Sequence, residues 1–96
     1  MKKLRFGIIG AGGIADRRTL PGMLMAKNAE ITAVMEVNQT LAEKLRGKYN
    51  AKYAYTTAEE LVKNEEIDAV YIASPVVFHC RQAMLAADYG KNILIE

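Results

Sequence analysis

The sequence predicts an open, doubly wound α/β fold built on a parallel sheet. Three observations carry this. Short apolar runs alternate with helical stretches along the whole chain. The runs 4–9, 31–37 and 69–73 are close to continuously apolar, as expected of strands buried on both faces. A glycine cluster at 10, 12 and 13 directly follows the first run. Strands that alternate with helices imply right-handed crossovers and helices on both faces of the sheet. The expected strand order is 3-2-1-4-5, with a ligand crevice where the order reverses, between strands 1 and 4.

Each element has its own local signal. Leu4 to Ile9 is an Ile-rich run and reads as a buried strand. Ile14 to about Lys27 reads as a helix that Pro21 divides or kinks. Ile31 to Val37 is the second strand. Asn38 suits an N-cap, and Leu41, Ala42 and Leu45 then share one helical face, with Gly47 near the end of that helix. Lys52 to Tyr55 is a short third strand. Thr57 and Glu60 have the capping-box spacing ahead of Leu61 and Val62. Ala69 to Ala73 is the fourth strand, closed by the turn signal Ser74-Pro75. Phe78 to Tyr89 reads as a helix, with Gly90 suited to its C′ position. Asn92 to Ile95 is the fifth strand.

Composition narrows the class. The chain has 96 residues, of which 51% are hydrophobic and 25% charged, so it is neither disordered nor fibrous. A domain of this size buries roughly two-thirds of its unfolded surface, enough for one core. The net charge of +2 is too balanced to point to nucleic acid or to an anionic membrane. A single cysteine, Cys80, allows no internal disulfide and no zinc site, which fits a reducing, cytoplasmic setting. The opening Met1-Lys2-Lys3 has the outline of a signal peptide. Arg5, the glycines and Asp16-Arg17-Arg18 break the apolar run, and no run reaches the ~18 residues of a membrane span.

The chemistry lies in the glycine cluster. Gly10-Ala11-Gly12-Gly13-Ile14-Ala15 matches G-x-G-x-x-A between a strand and a helix. Gly10 permits a tight turn. Gly12, with no Cβ, lets a pyrophosphate approach the backbone, and Ala15 lets helix and strand pack closely. The amides at 12 to 14, at a helix N-terminus, then face phosphates. The plain alternative is a glycine-rich turn with no ligand.

Glu36 lies about 20 residues further on, at the end of strand 2, where a carboxylate accepts from adenosine ribose hydroxyls. It repels a 2′-phosphate, and neither Val37 nor Asn38 offers a guanidinium, so NAD is favoured over NADP. The alternative is a solvated strand-end glutamate. Ala73-Ser74-Pro75 ends strand 4 opposite the glycine turn and should line the cofactor path. His79 starts the next helix and reads equally as a cofactor contact or as a polar helix-start residue. Arg17 and Arg18 read as a solvated face or as partners of an anionic ligand. Cys80 reads as a buried small residue, and Met23, Met25, Met35 and Met84 as core. Tyr49, Tyr53 and Tyr55 read as amphipathic packing at a sheet edge.

Together these residues resemble the N-terminal half of the glucose–fructose oxidoreductase / inositol dehydrogenase (Gfo/Idh/MocA) family of NAD(P)-dependent oxidoreductases. The carriers are the run Phe6 to Ala15, Tyr55-Thr56-Thr57-Ala58-Glu59-Glu60-Leu61, Ile67 to Pro75 with His79, and Gly90-Lys91-Asn92-Ile93-Leu94-Ile95-Glu96. The last resembles the family's strand-5 run, which ends in Glu-Lys-Pro.

The resemblance implies a Rossmann-like domain over 1–96, truncated after strand 5, with the C-terminal substrate domain absent. It implies that Gly10, Ala11, Gly12, Gly13 and Ile14 bind the pyrophosphate and Glu36 the ribose. Ala73, Ser74, Pro75 and His79 then line the path to the nicotinamide, with Glu96 near its ribose. No catalytic residue is expected here, since the family's lysine follows this glutamate and its Asp–His pair belongs to the second domain. Val76 departs from the family, which often has Asn at that position.

The function expected is therefore the dinucleotide-binding part of an NAD-dependent dehydrogenase acting on a sugar, cyclitol or related alcohol, in a homo-oligomer. Two alternatives stay open. An S-adenosylmethionine-dependent methyltransferase also places a glycine turn after strand 1 and an acid after strand 2. A non-catalytic NAD-sensing module needs no catalytic residues.

Overall fold

The computed structural model of the chain describes residues 3–13, 22 and 28–95. Nearly all of the expected helix over 14–27 lies outside the described residues, with Ile14, Ala15, Asp16, Arg17, Arg18, Pro21, Met23 and Met25. So does Glu96.

The strands are β1 (Leu4–Ile9), β2 (Ala29–Met35), β3 (Tyr53–Tyr55), β4 (Ala69–Ile72) and β5 (Asn92–Ile95). The helices are α1 (Gln39–Lys48), α2 (Ala58–Val62) and α3 (His79–Asp88), the last preceded by a 3-10 turn over Val76–Phe78. All pairings are parallel, in the order β3-β2-β1-β4-β5. This is the Rossmann-like sheet that the sequence predicts. Among the described residues no helix is long and apolar enough to cross a membrane.

Side chains alternate between two cores. Phe6, Ile8, Ile31 and Val34 meet Leu45 and Tyr49, so α1 covers that face. Ile9, Ala33, Val70 and Ile72 meet Leu61, Val62 and Ala86, so α2 and α3 cover the other. Apolar burial of this kind contributes about 25 cal/mol per Å² and is the main stabilising term.

Ile31 and Ala33 lie on opposite faces although they are two residues apart. The reason is a register shift: Phe6 pairs Ile31 but Gly7 pairs Ala33, so Thr32 is an inserted residue. Thr32 is buried, and its Oγ1 is a buried side-chain oxygen with no hydrogen-bond partner. Leaving a buried hydroxyl unsatisfied costs about 1–3 kcal/mol. Thr32→Val keeps the shape and removes the hydroxyl, so we expect it to stabilise the fold by about 1 kcal/mol. The readout is a higher urea midpoint at unchanged slope; a lower midpoint would contradict the assignment.

Several element ends differ from expectation by one or two residues, β2 and the last helix among them. β2 ends at Met35 rather than Val37, because its partner β3 is short and its last residue, Tyr55, accepts from the Glu36 amide at 3.1 Å. Helix α3 begins at His79, one residue into the expected span, because residues 76–78 after Pro75 wind as 3-10.

The caps hold as read. Asn38 Oδ1 accepts from the Leu41 amide at 3.0 Å, and Thr57 Oγ1 from the Glu60 amide at 3.3 Å. At the end of α3, Gly90 takes φ +72°, and the Lys91 and Gly90 amides donate to Ala86 and Ala87 carbonyls at 3.0 Å each. That is a Schellman closure. Helix α1 closes in the same way, with Asn50 at φ 54° rather than with Gly47.

Three residues depart from their expected setting. Cys80 is exposed, and Met84 is 64% exposed. The buried line of α3 runs through Gln82 and Ala86, one helical turn apart, and Cys80 and Met84 fall on the outer side. Tyr49 is core rather than edge, packed under α1. Tyr53 and Tyr55 do pack at the β3 edge, with stacked rings 6.0 Å apart. Their hydroxyls engage Glu66 and Asn64.

At the N-terminal ends of the central strands, Arg5 grips Asp68 through Nε and a terminal guanidinium nitrogen, both at 3.1 Å. Lys91 Nζ donates to the carbonyls of Asn64 and Ile67 at 2.8 and 2.7 Å. Burial pushes the Lys91 ammonium below its ordinary pKa. These ties close the end of the sheet opposite the candidate site.

Candidate dinucleotide site

The site forms where β1, β2 and β4 end. The amides of Gly10 and Ala11 both donate to the Met35 carbonyl, at 3.0 and 3.1 Å, which ties the turn after β1 to the end of β2. The Ala73 amide donates to the Ile9 carbonyl at 2.9 Å, which ties the turn after β4 to β1. Between these turns opens a cavity of about 790 Å³, of the size that takes a cofactor.

Gly10 holds φ +79°, and a Cβ there would lie 2.7 Å from both the Cα and the backbone nitrogen of Ser74. Both facts require glycine. At Gly12 a Cβ would meet Glu36 Oε2 at 2.9 Å and Leu41 Cδ2 at 2.8 Å. The bare backbone there admits the acid itself: the Gly12 amide donates to Glu36 Oε2 at 2.8 Å. The Val37 amide donates to the other oxygen at 3.3 Å. Among the described residues, Gly13 has nothing within 4 Å of a Cβ.

Of the residues expected to contact cofactor, Gly10, Gly12, Gly13, Glu36, Ala73, Ser74, Pro75 and His79 all line the cavity. Ala11 does not. It is fully buried in the core under α1, and its amide is spent on Met35. Ile14 and Glu96 lie outside the described residues. Within the site, the His79 Nε2–H donates to the Ser74 carbonyl, and the Ser74 hydroxyl donates to Gln82 Oε1. Glu36 is the one carboxylate on the wall among the described residues.

Sequence reasoning missed part of the wall. Met35, Val37, Val76, Phe78 and Gln82 also line the cavity. Val37 and Val76 are each 80% exposed, and valines stranded at strand and helix ends are a readable sign of an apolar rim. Gln82, one turn after His79, sits on the buried line of α3 otherwise held by Ala86. A polar residue in such a line is a signal in its own right.

This arrangement fits a dinucleotide. Backbone at Gly13 faces the cavity, a carboxylate stands at the end of β2, and apolar side chains form the walls. Residues 4–96 match the family described as an oxidoreductase family with an NAD-binding Rossmann fold, GFO_IDH_MocA. A scyllo-inositol 2-dehydrogenase (NADP(+)) of Bacillus subtilis (strain 168) is 37% identical over 93 residues, covering 97% of this chain and 28% of that protein. KijD10, a 3-ketoreductase from Actinomadura kijaniata whose structure holds NADP, superposes with a TM-score of 0.92 at 28% identity. The overlap covers 98% of this chain and 30% of KijD10. A scyllo-inositol dehydrogenase from Lactobacillus casei, with bound NAD(H) and scyllo-inositol, shares the fold at TM-score 0.90 and 23% identity, over 98% of this chain and 28% of that one. The chain spans about 29% of the length of the first curated relatives it matches. The matched family and the glycine turn with its acid agree: the chain belongs to the GFO_IDH_MocA oxidoreductases, those with an NAD-binding Rossmann fold.

Proposed function

We propose that residues 1–96 bind a nicotinamide dinucleotide, NAD in preference to NADP, as the cofactor-binding part of an oxidoreductase. Its substrate would be an alcohol carbon of a sugar, cyclitol or related polyol. The observation that carries the reading is the Glu36 carboxylate, held by the Gly12 amide at 2.8 Å on the wall of the cavity. One oxygen is fixed by the backbone, and the pair stands ready to accept from vicinal ribose hydroxyls. Because Glu36 already uses the Gly12 amide, the Gly13 amide is left for the pyrophosphate, and Ile14 is assigned to it by the family pattern alone. Ser74, Pro75 and His79 form the opposite wall, and Glu96 is assigned to the nicotinamide ribose by the family pattern alone. When bound, the dinucleotide supplies the hydride acceptor or donor. The chain's own part is to hold it, orient it and screen it from water. The substrate class rests on the names of the inositol dehydrogenase relatives.

An NADP reading has support from the relatives whose names or structures carry NADP. Against it stands a carboxylate where a 2′-phosphate needs a cation. We extend the proposal to a homo-oligomer. The cytoplasm is its proposed compartment, since an exposed free thiol such as Cys80 suits a reducing one.

Calorimetric titration with NADH and with NADPH tests the reading. NADH should bind at least tenfold more tightly. Tighter NADPH binding would overturn the NAD preference, and no heat with either at millimolar concentration would overturn the site.

A further inference from the structure

We propose that Gln82 is a ligand-positioning residue whose side-chain amide donates a hydrogen bond to an acceptor oxygen of the molecule in the cavity. The proposal rests on reading that cavity as a dinucleotide site.

Gln82 is 9% exposed, so it is buried on a helix line that otherwise carries apolar residues. Burying a carboxamide is costly unless its hydrogen bonds are met. Gln82 has one acceptor oxygen and two N–H donors. The Ser74 hydroxyl donates to Oε1, which meets the acceptor and fixes the plane of the amide. Nε2 has no protein partner among the described residues, yet it is not among the buried unpartnered atoms. Gln82 lines the cavity, and we infer that its free N–H donors point there.

The anchor is itself held. The Ser74 carbonyl accepts from His79, and the Ser74 backbone lies against Gly10 so closely that no Cβ fits between them. The glycine turn, Ser74, Gln82 and His79 therefore form one chain of contacts across the switch point of the sheet. A donor at its end faces a space in which the expected ligand carries phosphate and ribose oxygens and few donors. The chemistry matches an acceptor-rich ligand, and a donor held in place by a second hydrogen bond is already oriented before binding.

Three measurements on the full chain test this. Gln82→Met keeps the length and removes both donors. It should weaken NADH binding about tenfold, the effect of about one hydrogen bond, at a thermal midpoint close to that of the unsubstituted chain. Gln82→Glu replaces the donors by an anionic acceptor. It should bind NADH more weakly still at neutral pH and regain affinity as the pH falls toward 4, a recovery that a purely structural role does not give. The side-chain NH2 pair of Gln82, followed by NMR in the unsubstituted chain, should shift on adding NADH, which needs no variant to fold.

NADH binding within twofold of the unsubstituted chain by Gln82→Met, or an unmoved NH2 pair at saturating NADH, would overturn the proposal. If the unsubstituted chain itself binds no NADH, the dinucleotide reading falls and this inference falls with it, an outcome visible without any variant.

Discussion

Glu36→Ala should invert the cofactor preference of this chain. The carboxylate is the acceptor held by the Gly12 amide at 2.8 Å, and it stands where the adenosine ribose is expected. Hydrogen bonds to a charged group contribute about 1.5–3 kcal/mol, so losing them should weaken NADH binding by about 10–100-fold. The same change removes the negative charge that opposes a 2′-phosphate, so NADPH binding should hold steady or improve. The ratio of the two dissociation constants is the readout. Glu36→Gln separates the two effects, since it keeps an acceptor and removes the charge. It should fall between the unsubstituted chain and Glu36→Ala for NADH. An unchanged ratio in both variants would mean that Glu36 serves only to hold the turn.

Gly10→Ala is expected to damage both the fold and the site. A side chain at φ +79° costs about 1–2 kcal/mol. The added Cβ also lies 2.7 Å from two backbone atoms of Ser74, which cannot swing aside as a side-chain tip can. Forcing such a shift adds about 1–3 kcal/mol. With about 3 kcal/mol lost and about 4–8 °C per kcal/mol for a domain of this size, the thermal midpoint should fall by more than about 12 °C. NADH binding should go with it, because the shift separates the two turns that form the cavity. Gly13→Ala is the matched control. Nothing among the described residues lies within 4 Å of an added Cβ there, so its effect on stability should stay within about 0.5 kcal/mol. Equal effects from the two substitutions would refute the steric account.

The contrast between these two glycines marks what could be read from the chain in advance. The order of strands and the position of the crevice follow from local signals: long apolar runs, capping residues at Asn38 and Thr57, and a glycine turn between strand and helix. The pairing of that turn with Glu36 follows from spacing. What could not be read depends on contacts between distant segments. Cys80 and Met84 have apolar side chains, but only the packed sheet decides which side of α3 is buried. Ala11 looked like part of a phosphate turn, yet the fold takes its methyl group into the core and its amide to Met35. Gln82 gains its meaning from Ser74, eight residues away on another element. The insertion at Thr32 exists only as a mismatch between two paired strands.

That insertion decides on which side of the sheet the acid emerges. Along a regular strand successive side chains alternate, so one residue more or fewer moves everything beyond it to the opposite face. Counted from Ile31, the extra Thr32 sends Val34 toward α1 and Met35 toward α2 and α3. The next side chain, Glu36, then turns back to the α1 side, where Gly12 and Leu41 wait. Were the strand regular from its first residue, the same acid at the same distance from the glycines would point away from them. The interval between a glycine motif and its acid is thus a distance without a parity, and in this chain a single buried threonine supplies the parity.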